Sequence, residues 1–230
     1  MRRNQTVLLI IIAFVLTACG STQTKITTNQ FTAKTDAVTL IYTPDVELSV
    51  LMATGMQETR ADWSETGQDN ITVALQSALD GRASRIIVHD REDVQSPRQS
   101  QLVKLTDAVM QTSLQYDYRG QKLPTHKKRY SRSIGPGATL LAGDSGANYA
   151  LMVLARGNYQ SGGKVAMNIA MAALGGPMQF GGQNLYAALI DLETGDIVWS
   201  NLATAAPGED MRKTEGADKL VASLLKDFPL

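Results

Sequence analysis

The sequence predicts a single α/β domain, with a mixed β-sheet and helices packed against it. Three observations predict that class. Short β-rich runs alternate with runs of helical periodicity along the chain. One β-rich run, Tyr149 to Leu154, is nearly continuous in apolar residues, as a central strand covered on both faces must be. Finally, Leu185 to Leu192 and Asp196-Ile197-Val198-Trp199 flank Glu193-Thr194-Gly195, which reads as a hairpin with a glycine turn.

In chain order, Ala37-Val38-Thr39-Leu40-Ile41-Tyr42 is a strand that stops at Thr43-Pro44, because proline cannot donate to a ladder. Val46 to Leu51 alternates and continues as a second strand or a bulged extension. Asp62 with Glu65 has the spacing of a capping box, and Ile71, Ala74, Leu75, Ala78 and Leu79 form a helical stripe ended by Gly81. Arg85 to His89 has the pattern of a short buried strand. Ser96-Pro97 then starts a helix carried by Leu102, Leu105, Val109 and Leu114. Gly135-Pro136-Gly137 introduces a short helix closed near Gly143. The tail from Glu209 places Leu220, Val221, Leu224 and Leu225 on one face of a final helix.

The first twenty residues carry a different message. Met1-Arg2-Arg3 is a basic start, Val7 to Leu16 an apolar core, and Leu16-Thr17-Ala18-Cys19 a small-residue cleavage site. The apolar run is about ten residues, half of the roughly 20 a bilayer-spanning helix needs. The four residues ending at Cys19 resemble the lipobox of bacterial lipoproteins. That resemblance implies a diacylglyceryl group on the thiol and cleavage that leaves Cys19 first. Cys19 is the only cysteine, so no intramolecular disulfide exists and the lone thiol is best read as an attachment point. In the lipoproteins it resembles, an aspartate after the cysteine retains the chain in the inner membrane, so the resemblance, with Gly20 and Ser21 here instead, implies the outer membrane, on its periplasmic face. The organisation expected is a signal peptide over 1–18, a lipidated cysteine and flexible tether over 19–35, and a periplasmic domain over 36–230.

Removing residues 1–18 leaves 212 of 230 residues, enough for one sizeable core. The loss of Arg2 and Arg3 moves the formal charge from zero to about −2. Nucleic acid is not an expected partner, since it calls for a concentrated basic face.

Asp45-Val46-Glu47-Leu48-Ser49, Arg60-Ala61-Asp62-Trp63, Tyr149-Ala150-Leu151 and Asp191-Leu192-Glu193-Thr194-Gly195-Asp196-Ile197-Val198-Trp199 resemble a family of proteobacterial outer-membrane lipoproteins without an assigned activity. The likeness spans about residues 37 to 203. The last stretch is also similar to a signature shared by the curli-secretion lipoprotein, penicillin-binding-protein activator lipoproteins and the amino-terminal domain of TolB. The resemblance implies a compact α/β domain used for binding or assembly, and it carries over no catalytic residue.

Motifs that hint at catalysis fail on their partners. Gly143-Asp144-Ser145-Gly146 spells the surroundings of a trypsin-like serine, but the chain has only His89 and His126, and His126 lies in a Lys/Arg cluster. Gly157 to Val165 departs from a phosphate loop, with Lys164 one place late and no hydroxyl after it. His89-Asp90 is a poor metal-ligand set without cysteines. Glu58, Asp62, Glu65 and Asp69 fit a helix start as readily as paired acid/base carboxylates. The basic loop from His126 to Arg132 is a solvated connection, with contact to anionic lipid as the alternative.

The unusual segment is Ser161 to Gly182. Glycine pairs bracket an Ala/Met-rich helix from Lys164 to Leu174 that carries one charge. A helix apolar nearly all round has to be buried. The first expectation is this protein's own core, or a crossover packed on its sheet; the alternative is docking to a partner or membrane through Val165, Met167, Ile169, Met171 and Leu174.

The function expected is that of a non-catalytic binding or assembly factor for an envelope complex. Its cofactor would be none beyond the lipid on Cys19, with no metal. Its partners would be the membrane and another envelope protein, and a homo-oligomer is compatible. The alternatives are an envelope hydrolase acting on wall or lipid material and a subunit of an oligomeric export channel.

Overall fold

Alternating side chains on the central strands bury two separate cores, one on each face of the sheet. The computed structural model describes residues 21–26, 31–82, 85–120 and 132–230. Its elements are β1 (Ser21–Ile26), β2 (Val38–Tyr42), β3 (Asp45–Leu51), β4 (Gln57–Thr59), α1 (Ala61–Leu79), β5 (Arg85–His89) and α2 (Pro97–Ser113). They continue with β6 (Tyr149–Gln160), α3 (Gly162–Ala173), β7 (Gly182–Asp191), β8 (Ile197–Thr204) and α4 (Thr214–Leu224). A π-helical turn (Leu114–Tyr118) extends α2, and a 3-10 helix (Pro136–Ala142) precedes β6.

The result is a mixed α/β domain with an eight-stranded sheet, six strands in the order β1-β8-β7-β6-β2-β5 and two off that path, β3 beside β6 and β4 beside β3. Strand β6 is the axis. It pairs antiparallel with β7 along ten residues, and on its other side it runs parallel to β2 and then β3. Pro44 separates those two strands, so Thr39–Ile41 face Tyr149–Leu151 and Asp45 restarts the ladder at Leu154. Tyr149, Leu151, Val153 and Ala155 point into the core under α1 and α4. Ala150, Met152 and Leu154 point the other way, into the core closed by Leu102, Val103 and Met110 of α2. Period-two alternation with both faces covered explains the unbroken apolar run.

The structure departs from the local sequence pattern at four places. Helix α1 starts one residue before Asp62; Arg60 flanks it without a side-chain cap, and Asp62 instead pairs with Arg60. Strand β5 is a half-buried edge, because it pairs with β2 alone. On α2 the buried stripe is Gln99, Leu102, Val103, Thr106 and Met110, which leaves Leu105 exposed.

The fourth departure is Ser21–Ile26, expected within the tether. It runs antiparallel to β8 as an edge strand, from Ser21 beside Thr204 to Ile26 beside Trp199. The outer edge of β8 offers unpaired backbone groups, and a polar segment satisfies them without needing apolar side chains. Cys19, the segment 1–18 and the basic residues His126 to Arg129 lie outside the described residues.

Candidate docking surface

Helix α3 is built inside out. Ser161 caps it, its hydroxyl oxygen accepting from the Lys164 amide at 3.1 Å. Gly175, at φ +69°, ends it where only glycine is at ease. Its two buried side chains are polar: Lys164 and Asn168, each 7% exposed, sit one turn apart. Lys164 Nζ donates to Gln179 Oε1 at 3.1 Å, and Asn168 Nδ2 donates to the Gln179 carbonyl at 2.7 Å. Gln160 Nε2 reaches the same carbonyl at 3.1 Å. A Cβ at Gly181 would overlap the Asn158 carbonyl, so glycine is what lets the chain return against β6.

The apolar residues are left outside. Ile169 is 67% exposed and Leu174 84%, and Val165 and Met167 are also exposed. Met171 is half-buried, folded against Gly176. None of the five belongs to either core. The expectation that this segment fills the protein's own core is therefore wrong. The cause lies in what the helix rests on: amide side chains and a carbonyl that need hydrogen-bonding partners, and so draw Lys164 and Asn168 inward.

The surface extends beyond the segment singled out from sequence. Met178 and Phe180 follow α3, and Met52 and Met56 stand on the turn between β3 and β4. That turn lies at the foot of α3: the Ser161 amide donates to the Leu51 carbonyl at 3.0 Å, and Gly163 faces Ala53. Eight of the eleven large hydrophobic side chains exposed among the described residues cluster at this one end of the sheet. Exposed apolar side chains are ordinary singly; a contiguous group marks an interaction site. A glycine pair beside Phe180 was the only sequence signal for the added residues.

Beneath this end, Arg212 is stacked between two rings, its Cζ 3.6 Å from the Tyr159 centroid and 4.4 Å from that of Trp63. Asp210 holds the guanidinium in a fork, Oδ2 at 2.8 Å from Nη2 and Oδ1 at 3.0 Å from Nε. Tyr159 donates its hydroxyl to Asp210 Oδ1 at 2.8 Å. Burial, then the Asp210 carboxylate, pushes the Tyr159 hydroxyl well above its usual range. Burial also pushes the Asp210 carboxyl up, but the hydrogen bonds from Arg212 and Tyr159 outweigh it and hold it at about 2.

A carboxylate held below its ordinary value stabilises the fold above about pH 4, and that contribution fades as pH falls towards 2. Asp210→Asn is expected to cost about 1–2 kcal/mol at pH 7 after solvent screening is allowed for. The gap to the wild type should close between about pH 4 and pH 2, as followed by urea unfolding across that range.

Of the residues that hint at catalysis, Asp62, Glu65 and Asp69 share α1, while Ser145 and His89 lie elsewhere. Glu58, Asp62, Glu65 and Asp69 are all exposed. Ser145 Oγ donates to the Ala142 carbonyl and accepts from the Ala147 amide, a turn contact. His89 ends β5 with its ring edge-on to Tyr42. Among the described residues no group of three or more His, Cys, Asp or Glu side chains could hold a metal ion. A cavity of about 170 Å³ beside Gln111, Arg119 and Arg156 is smaller than the roughly 300 Å³ at which small-molecule sites begin, while two surface grooves are larger, about 370 Å³ beside Phe180 and Gln183 and about 550 Å³ beside Ala222 and Lys226.

No protein-family model matches the sequence, and no curated protein matches it either. Among solved structures it is similar to the PelC dodecamer of Paraburkholderia phytofirmans, with 13% identity, a TM-score of 0.42, and coverage of 90% of this chain and 95% of that one. A leucine-to-methionine variant of the same dodecamer gives 14% identity, a TM-score of 0.40, and coverage of 90% and 96%. Lipoprotein GNA1162 of Neisseria meningitidis gives 12% identity, a TM-score of 0.34, and coverage of 82% and 95%. At these levels the likenesses assign neither a family nor a function.

Proposed function

We propose that this chain is a lipid-anchored protein of the bacterial envelope that works by docking rather than by catalysis, as an accessory or assembly factor for an envelope complex. The observation that carries the proposal is α3, whose apolar residues face solvent while Lys164 and Asn168 turn inward to Gln179 of the loop that follows, itself held to β6 by Gln160. A helix and following loop held by polar contacts and displaying Ile169, Leu174 and Phe180 cost solvation free energy in isolation, and covering them recovers that cost. The lipobox-like Leu16-Thr17-Ala18-Cys19 supplies the address. Resemblance to envelope lipoproteins of binding and assembly type points the same way.

Crosslinking in cells tests this reading. The native chain should give a discrete crosslinked envelope protein that disappears when Cys19→Ala removes the anchor. A purified domain that turns over a wall or lipid substrate, and loses that activity with one carboxylate changed, would contradict it.

A further inference from the structure

The register of β1 says which way α3 faces. Ser21 pairs with Thr204 at the end of β8, Thr204 pairs with Asn184 near the start of β7, and Asn184 pairs with Arg156 of β6. Four residues on from Arg156, β6 ends at Gln160 and the chain passes into α3. The chain entering β1 therefore comes in at the sheet end from which α3 projects. Ser21 stands three strand spacings, about 14 Å, from Arg156. Cys19 precedes Ser21 by two residues, a reach of about 7 Å at most.

We infer that α3 and its flanking apolar residues dip into the same membrane that holds the lipid on Cys19, giving the domain a second, non-covalent contact with that bilayer. The inference rests on the lipid-anchor reading and narrows the docking reading: it gives the apolar face of α3 to the bilayer and leaves an envelope-protein partner to the rest of the domain surface. Three features fit a bilayer interface. The segment from Ser161 to Gly182 contains one charged side chain, Lys164, and it is turned inward to Gln179. Ile169, Leu174 and Phe180 on α3 and the loop after it, with Met56 on the neighbouring turn, form an apolar end with no carboxylate from that segment to desolvate. A helix of twelve residues is too short to cross a bilayer but suits one lying about 5–10 Å into the headgroup boundary. With no cation exposed on α3, this contact depends on apolar burial and should be insensitive to salt.

The test uses the lipidated protein reconstituted into phosphatidylethanolamine/phosphatidylglycerol vesicles. Lipidation consumes the only native thiol, so Ile169→Cys can be labelled alone with an environment-sensitive nitrobenzoxadiazole dye, and Val73→Cys on α1 serves as the exposed control. The expected result is a blue shift at position 169 and quenching by spin-labelled lipid, unchanged by salt, with neither effect at position 73. A water-like dye at position 169 on protein that floats with the vesicles overturns the membrane contact while leaving the anchor standing. A blue shift that ignores the lipid quencher and grows with protein density overturns it in favour of a second copy. Protein that fails to float overturns the anchor reading itself, and this inference with it.

Discussion

Cys19→Ala is expected to abolish palmitate incorporation and to move most of the protein from the membrane to the soluble periplasmic fraction. The variant should be carried behind an ordinary cleavable leader, so that export does not depend on the lipid. The size of the effect follows from acyl-chain arithmetic. Each buried methylene contributes about 0.8 kcal/mol, and one myristoyl chain gives an association constant on the order of 10⁴ M⁻¹, which is marginal by itself. A diacylglyceryl thioether carries two chains, so its loss should lower membrane partitioning by more than about 10⁴-fold. No other cysteine can take over, because the chain has only one. The weak membrane affinity that survives should come from α3. Unchanged membrane association of the variant, or a wild-type chain without label, would refute the anchor.

Trp199→Ala is expected to cost about 3–5 kcal/mol of folding stability. Trp199 is fully buried on β8, and its ring meets Phe228 edge-on at 5.0 Å, tying the chain beyond α4 to the sheet. Truncation removes a large apolar surface and leaves a hole between two layers that are each fixed by their own hydrogen bonds. For a chain of this length, 1 kcal/mol corresponds to about 2–4 °C, so the melting temperature should fall by about 6–20 °C. Differential scanning calorimetry measures this directly. A fall of under about 2 °C would mean that the face under α1 and α4 is not the close-packed core described.

The fold was legible because its strongest signals are local and repeated. Tyr149–Leu154 is apolar at every position because both faces are covered, and Leu185–Trp199 carries its turn residues in sequence, with Gly195 at φ +78°. What escaped were interactions whose logic depends on a distant neighbour. Hydropathy ranks Ile169 above Asn168, but it does not know that Gln160 and Gln179 await hydrogen-bonding partners inside. The one available clue was that Lys164 and Asn168 share a helical face. Strand β1 is polar and pairs only because β8 has a free edge. Trp63 and Arg212 meet through tertiary structure alone, and no periodicity links them.

Whether α3 is surface or core is decided most directly by thermal unfolding of Ile169→Asp. A charge at a solvated position changes stability by no more than about 0.5 kcal/mol, so the melting temperature should stay within about 2 °C of the wild type. A fall comparable to that of Trp199→Ala would mean that Ile169 is buried in the folded protein, and the docking surface would not exist.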